Sequence, residues 1–180
     1  MLGRQRRKAL RDAAQTIVVA VVLALVIRTF LVEPFVVDGV SMENTLQNNE
    51  RLLVNKLWFH FSPLHYGEIV IFQPPIPGQP LYVKRVIATS GQTISMVNGK
   101  VFVNGRAMPQ PFLVHHGVST QDHWNMPPFK VPKGDIFVLG DHRAESRDSR
   151  YFGPVSVNAV QGVAFWVIWP IQQFGPVPSP

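Results

Sequence analysis

The sequence predicts a mainly β protein, in which one N-terminal transmembrane helix is followed by an all-β extracytoplasmic domain. Three observations predict this class. A cationic start precedes an uncharged apolar run, short apolar runs separated by turn residues follow, and no stretch after Leu57 sustains a helical period. The 180 residues leave room for one such domain. The absence of cysteine excludes disulfides, thiolate metal sites and cysteine nucleophiles.

Positive charge is concentrated at the N terminus. The formal net charge is +6, and residues 1–12 contain five cations against a single carboxylate, Asp12. Nucleic-acid-binding domains carry their cations on a face of the folded domain, so this distribution argues against a nucleic-acid partner. By the positive-inside rule, residues 1–12 are predicted to form a basic cytoplasmic N terminus.

Residues 13–32 are predicted to form a transmembrane anchor, since they contain no acid and a single cation, Arg28, near their far end. A buried core helix is one alternative, but five cations before an uncharged run fit it poorly. A cleavable signal peptide is another, but the small residues of a cleavage site are missing between Arg28 and Pro34. We therefore expect a single-pass protein of the cell membrane, with the chain from about Glu33 onward on the outer face.

Residues 33–171 are predicted to form one β-rich domain. Asn98-Gly99 and Asn104-Gly105 each follow a short apolar run, which is a strong hairpin signal. The proline-rich residues 105–133 are predicted to be an excursion inserted between strands, and residues 172–180 an irregular tail. Further strands are predicted at residues 51–54, 68–72, 81–87 and 134–139.

Histidines are the first candidates for chemistry. His115, His116 and His123 could bind a metal or act as bases, but adjacent side chains of an extended segment point to opposite faces and no carboxylate cluster accompanies them. A solvated loop is the favoured interpretation, and no metal is predicted. A serine protease triad is not evident either.

A lysine inside an apolar strand offers a different chemistry. Lys84 and Arg85 are neighbours, so one of the two cations must point inward if the strand has a buried face. Burial lowers the pKa of a lysine, and a desolvated Lys84 could therefore be a neutral general base. Ser41, in a turn-rich segment just beyond the anchor, is a candidate nucleophile. By spacing alone this pairing is weak.

Four segments strengthen this pairing. In order they are EPFVVDGVSM at 33–42, GEIVIF at 67–72, YVKRVI at 82–87 and GDHRAESRDSR at 140–150. Together they resemble the bacterial type I signal peptidases, which are Ser/Lys membrane proteases, and the size and single span look like the short Gram-positive form. The resemblance implies a catalytic domain of the signal peptidase type, which cuts signal peptides from exported preproteins next to membrane lipid.

The resemblance also implies roles for individual residues. Ser41 is the nucleophile and Lys84 the general base. The backbone N–H of Ser41 is one oxyanion donor, and a backbone donor at Gly39 is a possible second. The supporting set is Ser146, which orients the Lys84 amine, Asp141, which holds the surrounding loop, and Asp148 with Arg150, which form an ion pair.

Substrate pockets are implied in the same way. Small residues at positions −1 and −3 of the substrate are expected to occupy shallow pockets, and the reaction needs no cofactor. Trp58, Phe59 and Phe61 either rest in the lipid headgroups or pack in the core. The pocket residues implied by the resemblance are Phe35, Val37, Met42, Leu46, Tyr82 and Val83, each of which could equally be ordinary β-core packing.

Some positions depart from the family pattern. Asn44 stands where a proline is usual, and His142 stands where an asparagine is usual. His142 is therefore a second candidate for the general base.

Two other classes of protein remain open. The first is a non-catalytic membrane-tethered β domain that binds peptides or partner proteins. The second is a self-cleaving Ser/Lys repressor, which would need a DNA-binding domain in place of the anchor.

Overall fold

The structure is a computed structural model that describes residues 2–26, 31–43, 45–113 and 123–178. Its helices are α1 Leu2–Val26, α2 Trp58–Phe61 and α3 Ser149–Phe152. Its strands are β1 Val32–Val36, β2 Arg51–Asn55, β3 Ile69–Phe72, β4 Tyr82–Ala88, β5 Thr93–Val97, β6 Lys100–Val103, β7 Arg106–Ala107, β8 Met126–Lys130, β9 Asp135–Leu139, β10 Val155–Ser156, β11 Val160–Trp169 and β12 Gly175–Pro176. Short 3-10 turns lie at Pro111–Leu113, Arg143–Glu145, Val157–Ala159 and Ile171–Gln173.

Helix α1 overlaps the anchor predicted at residues 13–32. In the part of the chain that the structure describes, no helix is both long enough and apolar enough to cross a membrane. Residues 27–30 of the predicted anchor lie outside the described residues. Its last residue, Val32, belongs to β1, which pairs with β2.

The main sheet carries the predicted strands and one long strand that was not predicted. Its order is β1-β2-β11-β3-β4-β9-β10, with antiparallel neighbours, and β12 pairs with β11. Strand β11 is ten residues long and joins β2 to β3. Its nearly continuous apolar sequence is typical of a central strand, and Val160, Val163, Ala164 and Val167 are buried.

A second sheet, in the order β7-β6-β5-β8, contains both predicted hairpins. Asn98 and Gly99 have φ of 47° and 76°, and Asn104 and Gly105 have φ of 51° and 76°. Two consecutive residues in the left-handed region match the two-residue hairpin turn that Asn-Gly favours. Residues 123–133 of the predicted excursion contribute β8 to this sheet, and residues 114–122 lie outside the described residues.

Three apolar cores cover both faces of the main sheet. The one beneath the candidate nucleophile, here called the nucleophile core, consists of Val37, Met42, Leu46, Leu52, Val54, Ile69, Ile71, Val83, Ala164 and Val167. The other two lie on the opposite face of β3 and β4, and between the main and second sheets. Because both faces are covered, Lys84 and Arg85 are both buried, at 4% and 0% exposure. The sequence predicted one inward-pointing cation in this strand, and the structure buries both.

The predicted irregular tail is also partly ordered. A 3-10 turn at Ile171–Gln173 is followed by β12, which pairs with Trp166 and Val167 of β11. The prolines led to the prediction of an irregular segment. A two-residue edge strand needs few backbone N–H donors, so proline is tolerated there.

Candidate active site

A compact loop between β1 and β2 presents Ser41. Its ends are closed by two backbone hydrogen bonds, from Val37 N to Glu50 O at 2.8 Å and from Asn49 N to Val37 O at 2.8 Å. Gly39 has φ of +102°, a conformation that L side chains rarely adopt. Met42 is buried in the nucleophile core, so the residue next to Ser41 is fixed by packing.

Lys84 and Ser41 lie together although 43 residues separate them. Lys84 Nζ is 2.7 Å from Ser41 Oγ and donates to the carbonyl oxygen of Val83 at 3.0 Å. The 2.7 Å separation suits either protonation state, since an ammonium donates to the hydroxyl and a neutral amine accepts from it. The Lys84 ammonium also lies 5.1 Å from the centre of the Tyr82 ring.

The environment of Lys84 lowers its pKa and so raises the neutral fraction. Desolvation by burial lowers the pKa of Lys84 from 10.5 to about 8, while Asp148 and then Asp141 act in the opposite direction. About a tenth of the lysines are therefore neutral at pH 7, compared with about three in ten thousand at a pKa of 10.5. Burial therefore makes Lys84 available as a general base near neutral pH.

Asp141 fixes the loop that follows β9 to the nucleophile loop. Its carboxylate accepts from Arg85 Nε at 2.9 Å and Nη2 at 2.7 Å, and from Thr45 Oγ1 at 2.5 Å. Arg85 and Asp141 are fully buried, and breaking such a pair leaves an uncompensated charge. Because Thr45 is four residues beyond Ser41, this network holds the nucleophile loop against β4.

Two neighbours of Asp141 act on Ser41 directly. His142 donates its backbone N–H to the Ser41 carbonyl oxygen at 3.1 Å. A Cβ at Gly140 would overlap the Ser41 carbonyl oxygen and the Ser146 side chain, so this position requires glycine for close approach. The His142 ring lies 3.3 Å from the Val40 carbonyl oxygen, which gives it a place in the loop rather than beside the Ser41 hydroxyl.

Asp148 organises the other wall of the site. Its carboxylate accepts from the Ser146 hydroxyl at 2.7 Å, from Gly140 N at 3.0 Å and from Arg150 Nε at 2.8 Å. Arg150 Nη2 also donates to the Arg143 carbonyl oxygen at 2.6 Å. Ser146 thus donates to Asp148, and the described hydrogen bonds of Lys84 do not include Ser146.

A groove of about 520 Å³ opens at Ser41 and Lys84. Residues 35–42 form one side, residues 80–84 another, and Glu145 and Arg147 complete it. Five of the six predicted pocket residues line the groove, whereas Leu46 is fully buried in the nucleophile core behind it.

The two expected oxyanion donors differ in their partners. The N–H of Ser41 donates to none of the described residues. The N–H of Gly39 donates to the side chain of Asn48, Oδ1, at 2.9 Å. The N–H of Gly39 is therefore engaged, whereas the N–H of Ser41 has no hydrogen-bond partner among the described residues.

Other candidates fall outside the site. His115, His116 and Asn44 lie outside the described residues, and His123 is exposed. No group of three or more possible metal ligands occurs in the described ranges. Of the aromatic residues near α2, Trp58 and Phe61 are exposed and Phe59 packs against the core.

Sequence reasoning missed four contributors: Arg85, Thr45, Gly140 and Asn48. Arg85 was noticed only as the neighbour of Lys84, and a buried arginine requires a carboxylate partner that no local pattern reveals. Gly140 directly follows a strand, which was the available signal for close backbone approach. Thr45 and Asn48 gave no signal distinct from that of other turn residues.

Comparison with known proteins gives matches over most of the chain. The family model described as signal peptidase, peptidase S26, matches residues 10–169. The probable signal peptidase I-1 of Synechocystis is 33% identical over 177 residues, which cover 94% of this chain and 88% of the relative. Signal peptidase I T of Bacillus subtilis is 38% identical over 167 residues, covering 88% and 85%. The crystal structure of a signal peptidase I from Enterococcus faecalis aligns with 31% identity and a TM-score of 0.48, covering 57% of this chain and 97% of that one.

Proposed function

Because this chain belongs to the signal peptidase family, peptidase S26, it is a serine endopeptidase that removes signal peptides, and we propose that Ser41 is its nucleophile and Lys84 its general base. The observation that carries this proposal is the 2.7 Å separation of Lys84 Nζ and Ser41 Oγ at a buried lysine. A nucleophile and a base within hydrogen-bonding reach at the bottom of a groove are the arrangement that acyl transfer requires.

The first step is acylation. Neutral Lys84 accepts the proton of the Ser41 hydroxyl while Oγ attacks the scissile carbonyl carbon, and the carbonyl oxygen becomes an oxyanion. The N–H of Ser41 supplies one donor to this oxyanion. A second donor from Gly39 N–H would require its hydrogen bond to Asn48 to open.

In the remaining steps the proton passes to the leaving amine, and water releases the acyl group from Ser41. The Lys84 ammonium protonates the leaving amine, which departs as the new N terminus of the mature protein. Neutral Lys84 then accepts a proton from water as that water attacks the acyl carbon, and the proton passes to Ser41 Oγ as the signal peptide leaves as an acid. Every proton is accounted for by Lys84, Ser41 and water, so no cofactor takes part.

The supporting residues act by positioning. Asp141 holds the nucleophile loop through Arg85 and Thr45, and the Asp148–Arg150 pair holds the segment that contains Ser146. Orientation of the Lys84 amine by Ser146 stays a prediction.

The groove supports a preference for small substrate residues at positions −1 and −3. Its walls at Phe35, Met42, Tyr82 and Val83 are apolar, and they leave about 520 Å³ for several residues of peptide. An extended peptide beside an open backbone edge presents alternate side chains to alternate pockets, so residues −1 and −3 would enter the same wall.

The topology of the protein is proposed from its sequence. The anchor predicted at residues 13–32 forms a single transmembrane span that ends before β1 begins at Val32, residues 1–12 remain cytoplasmic, and the catalytic domain lies on the outer face next to the lipid. Ser41 follows Val32 by nine residues, which keeps the site near the membrane surface where a signal peptide emerges.

Cleavage of a preprotein with alanine at −3 and −1 tests the proposal. The parent chain in detergent is compared with Ser41→Ala and Lys84→Ala, and with Lys133→Ala as an exposed lysine control. The parent and the control should release a mature protein whose mass fits cleavage after −1. Both site variants should be inactive while folded.

Two outcomes would overturn the assignment. If Lys84→Ala still cuts, another group is the base. If the folded parent cuts none of several such preproteins but binds them, the chain is the non-catalytic peptide-binding domain.

A further inference from the structure

The end of the described chain lies against the catalytic machinery. The family model matches residues 10–169, so residues 175–178, here called the C-terminal strap, lie outside the matched segment. They nevertheless contact two elements that position Ser41, the nucleophile core and Arg85.

The first contact is with the nucleophile core. The strap is attached to β11 by the pairing of β12 and by a hydrogen bond from Val177 N to Phe165 O at 3.0 Å. The half-buried Val177 side chain packs at the edge of the core that contains Met42 and Leu46. Both of those side chains belong to the nucleophile loop, so the strap covers the packing that fixes this loop.

The second contact is with Arg85. Its Nη1 donates to Gly67 O at 2.6 Å and to Pro178 O at 3.1 Å. Its other nitrogens bind Asp141 and Thr45. The strap thus supplies one of the acceptors of a fully buried guanidinium, and such a group is costly to leave without one.

Resting on the proposed role of Ser41, we propose that the C-terminal strap is a positioning element for the reaction. Val177 packs against the nucleophile core and so fixes the nucleophile loop. The Pro178 carbonyl oxygen fixes Arg85, which in turn holds Asp141 and Thr45. Neither residue touches substrate. The strap acts on the distance and orientation between Ser41 Oγ and Lys84 Nζ, and therefore on the chemical step rather than on substrate binding.

The experiment measures kcat and KM for preprotein cleavage by the full chain, a chain ending at Phe174, Val177→Ala, Val177→Ile and the exposed control Gln173→Ala. All are assayed well below their thermal midpoints, with folding checked by circular dichroism. The shortened chain should lose about tenfold or more in kcat with KM unchanged, because ångström-scale displacement of reacting groups costs up to about 100-fold. Val177→Ala should show a smaller loss in kcat, and Val177→Ile and Gln173→Ala should match the parent.

The outcomes are distinguishable. A purely structural strap would lower the thermal midpoint but leave the kcat of the folded molecules unchanged, and this result would overturn the inference. A rise in KM at constant kcat would also overturn it. If the shortened chain does not fold, the comparison of Val177→Ala with Val177→Ile decides. If cleavage by the parent does not depend on Ser41, the proposed mechanism is wrong, and the role of the strap in positioning Ser41 is wrong with it.

Discussion

Replacing Lys84 with methionine is expected to stabilise the folded chain in a pH-dependent manner. Burial lowers the pKa of Lys84 from 10.5 to about 8. The unfolded chain therefore binds a proton at this position more tightly than the folded chain does, and the free energy of unfolding rises with pH between about 8 and 10.5. At about 1.36 kcal/mol per pH unit, buried Lys84 destabilises the fold by roughly 3 kcal/mol below pH 8 and by nothing well above 10.5.

Methionine has a similar length and no charge, so Lys84→Met removes this pH-dependent cost. It also removes the hydrogen bonds to Ser41 and to the Val83 carbonyl oxygen, which changes stability by a largely constant amount. The diagnostic quantity is therefore the stability difference between variant and parent at two pH values. That difference should be roughly 2–3 kcal/mol more favourable to the variant at pH 7 than at pH 10.

Urea unfolding of the full chain in a mild detergent, followed by tryptophan fluorescence at pH 7 and pH 10, measures this difference. Lys133→Met is the matched control, since it removes an exposed lysine outside the site. A difference for Lys84→Met that is equal at both pH values would refute the argument that burial of Lys84 sets its pKa.

Further outcomes are expected for the same site. The kcat/KM should rise about tenfold per pH unit below pH 8 and level off above it, because the neutral Lys84 amine reacts; a profile still climbing at pH 9.5 contradicts this. Gly140→Ala should lose about 1–3 kcal/mol of unfolding free energy and most of kcat, because its Cβ overlaps the Ser41 carbonyl oxygen; parent-like melting and kcat would disprove the close approach. Asp148→Asn should lose about 3–5 kcal/mol of unfolding free energy, because the buried Arg150 guanidinium loses its partner charge. An unchanged free energy of unfolding in urea would show that the fold does not need this pair.

The β architecture was largely readable from local patterns. Asn98-Gly99 and Asn104-Gly105 predicted two hairpins because few residue pairs tolerate two consecutive positive φ angles. Strand β11 escaped prediction because a nearly continuous apolar run does not show the alternation of a half-buried strand, and only its partners β2 and β3 place it in the middle of the sheet.

The candidate site could be predicted only from the resemblance to a family pattern. Ser41 and Lys84 were singled out from the resemblance of four segments, and spacing alone left their pairing weak. Arg85 entered the sequence analysis only as the neighbour of Lys84. Its burial depends on Asp141, 56 residues away, and no local sequence property reports such a partner.

By itself the sequence determined the mainly β class, the hairpin turns and the chemical groups available for catalysis, because these depend on local propensity and residue type. Only the tertiary structure decided that Lys84 is desolvated, that its amine reaches Ser41, and that Pro178 reaches Arg85. A lysine becomes a base near neutral pH only when distant segments exclude water from it, and exclusion of water is a property of packing rather than of any segment.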